Sequence, residues 1–271
     1  MLAYYINLDR RPERRASMEA RFAALGIEHM RIAALTPADV TEDQRQRYCN
    51  PLAYRWQTEG ELACSLSHIA AMRAFLATPA PFAVILEDDT ILSPALKPFL
   101  DRFQQQPPKV DVLRIETDNS RLRLPPDPET KLGEFSLFRL FDAGGGAAAY
   151  IVSRAGAERI ASGEELLIDL TDQALFNPNG KISRTLKVLQ AVPALAMQED
   201  RAVGNTVDRV HTSDLQRLRH DRRKRDGHNF WRRAAFNFYD LVERDVIRAA
   251  RKYWNKTVHG VAKHEIPFKA D

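Results

Sequence analysis

Apolar residues along the first 200 positions come in short runs that alternate between strand-like and helix-like spacing. The opening run, LAYYINL, reads as a strand. The segment after it, RRPERRASMEARFAALG, sets Met18, Phe22 and Leu25 at helical spacing between Pro12 and Gly26. Proline at a helix start and glycine past its end are the expected punctuation. IEHMRIAAL supplies a second strand, so the chain opens as a β-α-β unit. TPADVTEDQRQRYCNPLAYRW is polar and broken by Pro37 and Pro51, which predicts short helices and loop. TEGELACSLSHIAAMRAFLAT predicts a helix of about five turns. It begins at Thr58 or Gly60, turns Leu62, Leu66, Ile69 and Leu76 inward, and carries Glu61, Ser65 and His68 on another face.

The same alternation continues. PFAVILEDD, VDVLRIE, FSLFRLF, AAAYIVS and LKVLQAV read as strands, RAGAERIAS as a helix, and LLIDLTDQALFNPNG as a turn or helix start with two acids. Strands alternating with helices predict an α/β fold, a Rossmann-like three-layer sheet. One catalytic body is expected over residues 1–205, followed by a basic, aromatic, helical extension over 206–271.

Composition is that of an ordinary globular chain, 44% hydrophobic and 28% charged. No apolar run reaches the roughly 20 residues that span a bilayer. The start lacks a basic leader before an apolar core, so a secretion signal is not expected. Cys49 and Cys64 show no CxxC spacing. Neither a disulfide framework nor a zinc site is expected, and a cytoplasmic location fits. Charge is uneven: residues 201–271 carry 17 Lys+Arg against 9 Asp+Glu, and the other 200 carry 23 against 27. A basic tail on a mildly acidic body points to an anionic surface near the tail.

The densest chemistry lies in VILEDDTIL, where Glu87, Asp88 and Asp89 follow an apolar strand without a break. Adjacent carboxylates repel and are costly to desolvate. If extension continues, Glu87 and Asp89 project together and Asp88 points the other way. Ligands of open α/β sheets collect at the carboxyl ends of strands. Two convergent carboxylates there suit Mg²⁺ or Mn²⁺, hard cations that prefer oxygen and often share a bound phosphate. The plainer alternative is a solvated turn, where acids are common.

YYINLDRRPERR, GELACSLSHIAAM and VILEDD, in that order, together resemble glycosyltransferase family 25. GGGAAAYIVSRAGAERI, LLIDLTDQAL and VPALAMQED are similar to later family segments, so the resemblance covers about residues 3 to 200. Two positions depart from the family pattern. Gly146-Ala147-Ala148-Ala149-Tyr150 stands where Gly-Thr-x-x-Tyr is usual, and Leu167-Ile168-Asp169 where Pro-x-Asp is usual.

The resemblance implies a GT-A type mixed sheet and a UDP-hexose donor, galactose or glucose. It also implies a Mn²⁺ or Mg²⁺ cofactor and an inverting transfer to a glycan or lipid-linked glycan acceptor, as in lipopolysaccharide or lipooligosaccharide. Glu87 and Asp89 would hold the metal, and Asp88 would contact ribose or brace them. Asn7, Arg10 and Arg14 would lie beside the donor, where Arg can grip phosphate through two parallel hydrogen bonds. Glu61 and His68 would support the site, and Gln198 would lie near donor or metal. An inverting displacement needs a base to take the acceptor hydroxyl proton. Asp169 is the first candidate and Asp172 the second, three positions apart and so able to share a helix face. The plainer role for Asp169 is to cap the helix beginning near Thr171.

In the tail, residues 211–256 interleave Arg and Lys with aromatic residues, a pattern suited to an anionic membrane surface. A peripheral position at the inner membrane would follow. Packing of this helix on the body is the alternative, and nucleic-acid binding ranks last because no reader motif accompanies it. Two other readings of the whole chain stay open: a metal-dependent nucleotidyltransferase using the same acids, and a non-catalytic docking protein.

Overall fold

The computed structural model describes residues 1–50, 53, 56–202 and 248–270. In chain order its first elements are β1 (Ala3–Asn7), α1 (Pro12–Leu25), β2 (His29–Ala33), α2 (Glu42–Tyr48), α3 (Glu59–Leu76), β3 (Phe82–Glu87), β4 (Thr90–Leu92) and α4 (Leu96–Gln105). There follow β5 (Val112–Arg114), β6 (Glu116–Thr117), β7 (Arg121–Leu124), β8 (Thr130–Leu132), β9 (Phe135–Arg139), β10 (Ala149–Ser153), α5 (Arg154–Ser162), α6 (Glu165–Ile168) and α7 (Thr171–Phe176). The last are β11 (Val188–Val192), β12 (Ala196–Gln198), α8 (Glu199–Ala202), α9 (Arg248–His259) and β13 (Ala262–Glu265).

The fold is α/β around a mixed eight-stranded sheet, ordered β2-β1-β3-β10-β5-β11-β9-β8. β1 runs parallel to β2 and β3, whereas β10 is antiparallel to both β3 and β5. The central strands are apolar on both faces because both faces are covered. On one face Tyr4, Ile6, Ile85, Tyr150 and Val152 pack with Ile69, Met72 and Phe75 of α3. On the other, Tyr5, Val84, Leu86 and Ile151 meet Met18 and Phe22 of α1 and Phe99 and Phe103 of α4. Each such side chain contributes about 1.5–3 kcal/mol when fully buried, so these two layers dominate the stability.

Helix ends follow local chemistry. Pro12 begins α1, and Gly26 closes it at φ 63°, a left-handed conformation that favours glycine. At the start of α3 the Thr58 hydroxyl accepts from the Glu61 amide, while the Glu61 carboxylate accepts from the Thr58 amide. This reciprocal cap satisfies two amides the helix itself cannot. It also fixes Glu61 as a structural partner of Thr58.

Two segments, of which only VDVLRIE reads as one strand, switch sheets. VDVLRIE divides at Ile115, with β5 in the large sheet and β6 in a three-stranded sheet ordered β4-β12-β6. LKVLQAVPALAMQ divides at the cis Val192-Pro193 bond, with β11 in the large sheet and β12 in the small one. The small sheet therefore stands at the carboxyl ends of β3 and β5.

The stretch 203–247, which holds most of the basic aromatic pattern, lies outside the described residues. Beyond it the helix α9 forms as expected, but the chain then extends into β13 and pairs antiparallel with β7. Ile266 is buried, and its carbonyl accepts from the Thr117 hydroxyl at 2.7 Å. Among the described residues no helix is long and apolar enough to cross a membrane.

Thr58→Ala removes the cap of the helix that carries GELACSLSH. It should lower the unfolding free energy by about 1 kcal/mol, read as a shifted urea midpoint with an unchanged slope.

Candidate active site

The acid cluster lies where β3 leaves the large sheet. β3 ends at Glu87, Asp88 and Asp89 form a turn, and the chain re-enters extension at Thr90. The alternation expected through Asp89 is therefore cut short after Glu87, and turn geometry sets where Asp88 and Asp89 point. Asp88 accepts from the Asn7 amide at 2.7 Å and from Arg14 at 3.1 Å. Arg14 also reaches Asp89 at 3.4 Å. Glu87 faces inward, with Oε1 3.2 Å from His68 Nε2 and Oε2 3.5 Å from the Gln198 amide.

Asn7 sits at the end of β1 and is almost fully buried. Its Oδ1 accepts from Arg31 while its Nδ2 donates to Asp88 and to the Arg11 carbonyl. It thus fastens the acidic turn to the first strand. Arg14, one turn into α1, supplies the counter-charge. Arg10 is exposed on the turn after β1.

Asp89 is the most perturbed member. Burial and the neighbouring Glu87 push its carboxyl up to about 7, against the pull of Arg14. Its Oδ1 is buried with no hydrogen-bond partner. An orphaned carboxylate oxygen beside a second acid is the donor chemistry that a hard divalent cation satisfies.

His68 is fully buried on α3, and its Nδ1 lies 3.0 Å from the Tyr150 hydroxyl. The rest of the GELACSLSH helix serves the second acidic segment. The Gln57 amide, just before the helix, donates to the Leu166 and Asp169 carbonyls, and the Ser65 hydroxyl lies 3.1 Å from that of Thr171. α3 thereby sets the position of α6 and α7.

Asp169 and Asp172 do not share a helix. α6 ends at Ile168, and Asp169 and Leu170 are extended, with ψ of 156° and 144°. The residue preceding α7 is Leu170, without a side-chain cap, so Asp169 does not fill the capping role expected of it. Asp172, in the first turn of α7, accepts from the Gly146 amide at 3.2 Å. This contact brings it to the glycine loop over the small sheet.

Beneath that loop lies a pair the sequence reading missed. Arg114 is fully buried and donates to Gln190 Oε1 and to the Gly145 carbonyl. Its Nε faces Glu116 Oε1 at 3.4 Å. Glu116 Oε2 accepts from the Ala148 amide at 3.1 Å. A Cβ on Gly144 would stand 2.8 Å from the Arg114 guanidinium, and one on Gly146, at φ 83°, 3.2 Å from Glu116 and 3.4 Å from Gln198. The loop lies directly on charged groups, which is why side chains are missing there. The available signal was the i, i+2 spacing of Arg114 and Glu116 in an otherwise apolar run.

Burial pushes the Glu116 carboxyl up to about 8; Arg114 opposes the shift and Glu87 adds to it. The folded protein holds this proton more tightly than the unfolded chain, so stability falls as pH rises from the usual carboxylate range towards 8. Glu116→Gln should flatten that fall in thermal melts between those pH values. An unchanged slope would show that Glu116 does not titrate there.

Known proteins bear on this arrangement. A family model described as "Glycosyltransferase family 25 (LPS biosynthesis protein)" matches residues 1–167, which include Asn7, His68 and Glu87 to Asp89. The chain is 26% identical over 211 residues to "Lipooligosaccharide biosynthesis protein lic2B" of Haemophilus influenzae, covering 72% of this chain and 75% of that one. It is 28% identical over 210 residues to "Lacto-N-neotetraose biosynthesis glycosyltransferase LgtB" of Neisseria gonorrhoeae, covering 73% and 75%. Among solved structures, a glycosyltransferase involved in glycosylation of the major capsid of PBCV-1 aligns with a TM-score of 0.43 at 10% identity, covering 84% of this chain and 97% of that one.

Proposed function

The chain belongs to glycosyltransferase family 25, and on that premise we propose that it moves galactose or glucose from a UDP-sugar to a glycan acceptor with inversion. The names of its bacterial relatives support an acceptor of the lipooligosaccharide class. The observation that carries the reading is the half-buried Asp89 carboxylate, close to Glu87, with its Oδ1 buried and unpartnered, at the carboxyl end of a central strand.

Asp89, with Glu87 through its Oε2 side, would hold Mn²⁺ or Mg²⁺. When bound, the cation supplies Lewis-acid neutralisation of charge on the donor diphosphate. The chain's own groups do the positioning. Arg14 holds Asp88 and Asp89 in one turn, and Asn7 ties that turn to β1. Gln198 flanks Glu87 from the small sheet.

We rank the two candidate bases in the reverse of the sequence order. Asp172 accepts from the amide of Gly146, a residue that itself lies against Glu116 and Gln198. An acceptor hydroxyl entering along the glycine loop would give its proton to the Asp172 carboxylate as its oxygen bonds the anomeric carbon and the bond from that carbon to the diphosphate breaks, with UDP leaving. Asp169 stays at the α6–α7 break, where its backbone carbonyl is held by Gln57.

Docking of residues 211–256 on an anionic membrane is part of this reading, since a lipid-linked acceptor is presented there. In the described part of that stretch, Tyr253 and Trp254 on α9 are 73% and 61% exposed. Such aromatic residues suit a headgroup interface.

Purified protein should release UDP, not pyrophosphate, from UDP-galactose or UDP-glucose when Mn²⁺ or Mg²⁺ is present. Asp89→Asn should cut turnover by roughly 100-fold or more while the protein remains folded; retained activity would remove Asp89 from the metal site. Asp172→Asn should lower kcat by about 10²- to 10⁴-fold with donor affinity kept. A larger loss in Asp169→Asn would return the base to Asp169.

A further inference from the structure

Glu87 has a second set of neighbours on the side away from Gln198. Cys64 and His68 stand one helical turn apart on α3, and β3 brings the Glu87 carboxylate against them. One ligand atom from each of the three, sulfur, nitrogen and oxygen, lies within 4.8 Å of the others. We propose that Cys64, His68 and Glu87 form a zinc site distinct from the oxygen-lined cation site at Asp89.

The donor set has the right chemistry. Thiolate, imidazole and carboxylate are the three ligand types zinc takes, and three protein ligands with an open fourth position form a complete site. Magnesium and manganese favour oxygen alone, so the sulfur distinguishes this triad from the neighbouring acids.

The geometry agrees. Ligand atoms at ordinary zinc bond lengths lie roughly 3.3 Å apart across a tetrahedral edge, and His68 Nε2 and Glu87 Oε1 are 3.2 Å apart. The far side of the imidazole is also set as a zinc ligand requires. His68 Nδ1 lies 3.0 Å from the Tyr150 hydroxyl, and the two rings stack at 5.8 Å. A proton on Nδ1, donated to that hydroxyl, leaves the Nε2 lone pair facing a carboxylate. A cation between them relieves the contact, and a hydrogen bond on the outer nitrogen is the usual support of a ligating histidine.

Glu87 can serve both sites, because Oε1 faces His68 and Oε2 faces Gln198. Zinc here would pin α3 to the end of β3 and hold the Glu87 carboxylate in one orientation. The linear sequence argued against zinc because its two cysteines lack paired spacing. The triad uses only one of them and completes itself across the fold.

The test needs neither donor nor acceptor, so it stands or falls apart from the sugar-transfer reading. The full chain, loaded with Zn²⁺ and dialysed, should retain about one zinc per chain by elemental mass spectrometry. Cys64→Ser and His68→Gln should lose most of it, while Cys49→Ser and Asp89→Asn should keep it. Co²⁺-loaded wild type should show a thiolate-to-cobalt charge-transfer band that is missing in Cys64→Ser. No retained zinc in the wild type, a cobalt protein without that band, full retention in Cys64→Ser, or loss in Asp89→Asn would each overturn the proposal. The wild-type cobalt spectrum decides even if a variant fails to fold.

Discussion

Three consecutive carboxylates at the end of a buried strand are tenable because the first strand and first helix reach across to hold two of them. Asn7 and Arg14 close on Asp88, and Arg14 extends to Asp89. A charge left alone there would cost several kcal/mol in desolvation. The β1–α1 opening is thus part of the site, and the parallel pairing of β1 with β3 puts Asn7 level with the acid turn. What remains uncompensated is concentrated on one oxygen of Asp89.

A second charged pair performs a related task one layer away. Arg114 and Glu116 lie buried under Gly144 to Gly146 and set the path of the backbone there. The Gly146 amide then receives Asp172, which links the pair to the start of α7. From the other direction, Gln57 and Ser65 fix the break between α6 and α7. Asp172 is therefore placed by two independent sets of contacts. Such doubly determined placement suits the proton-accepting role proposed for Asp172, since a small displacement is costly to rate.

Much of the architecture was legible in apolar spacing, because buried strands covered on both faces must be apolar throughout. The order of the sheet was not, since β10 inserts between β3 and β5 through pairings far apart in sequence. The acid motif and the GELACSLSH helix, apart in sequence, meet in the fold where His68 faces Glu87. The roles there were harder. Strand alternation paired Glu87 with Asp89; the strand ends at Glu87, so the turn after it, not the pleat, sets where Asp89 points. Asp169 and Asp172 looked like helix neighbours because nothing local announces the extended break at Leu170. Glu116 was invisible as a buried acid because its burial depends on Ile115, where the chain passes from one sheet to another.

The pairing of β13 with β7 reaches into the order of synthesis. Leu122 and Leu124 are made long before their partners His264 and Ala262. A chain emerging from the ribosome must carry β7 as an unpaired edge until those residues appear. Exposed edges of this kind recruit other chains. Ala262–Glu265 therefore act as a late seal, and a nascent chain that stalls before position 262 would present the open edge to its neighbours.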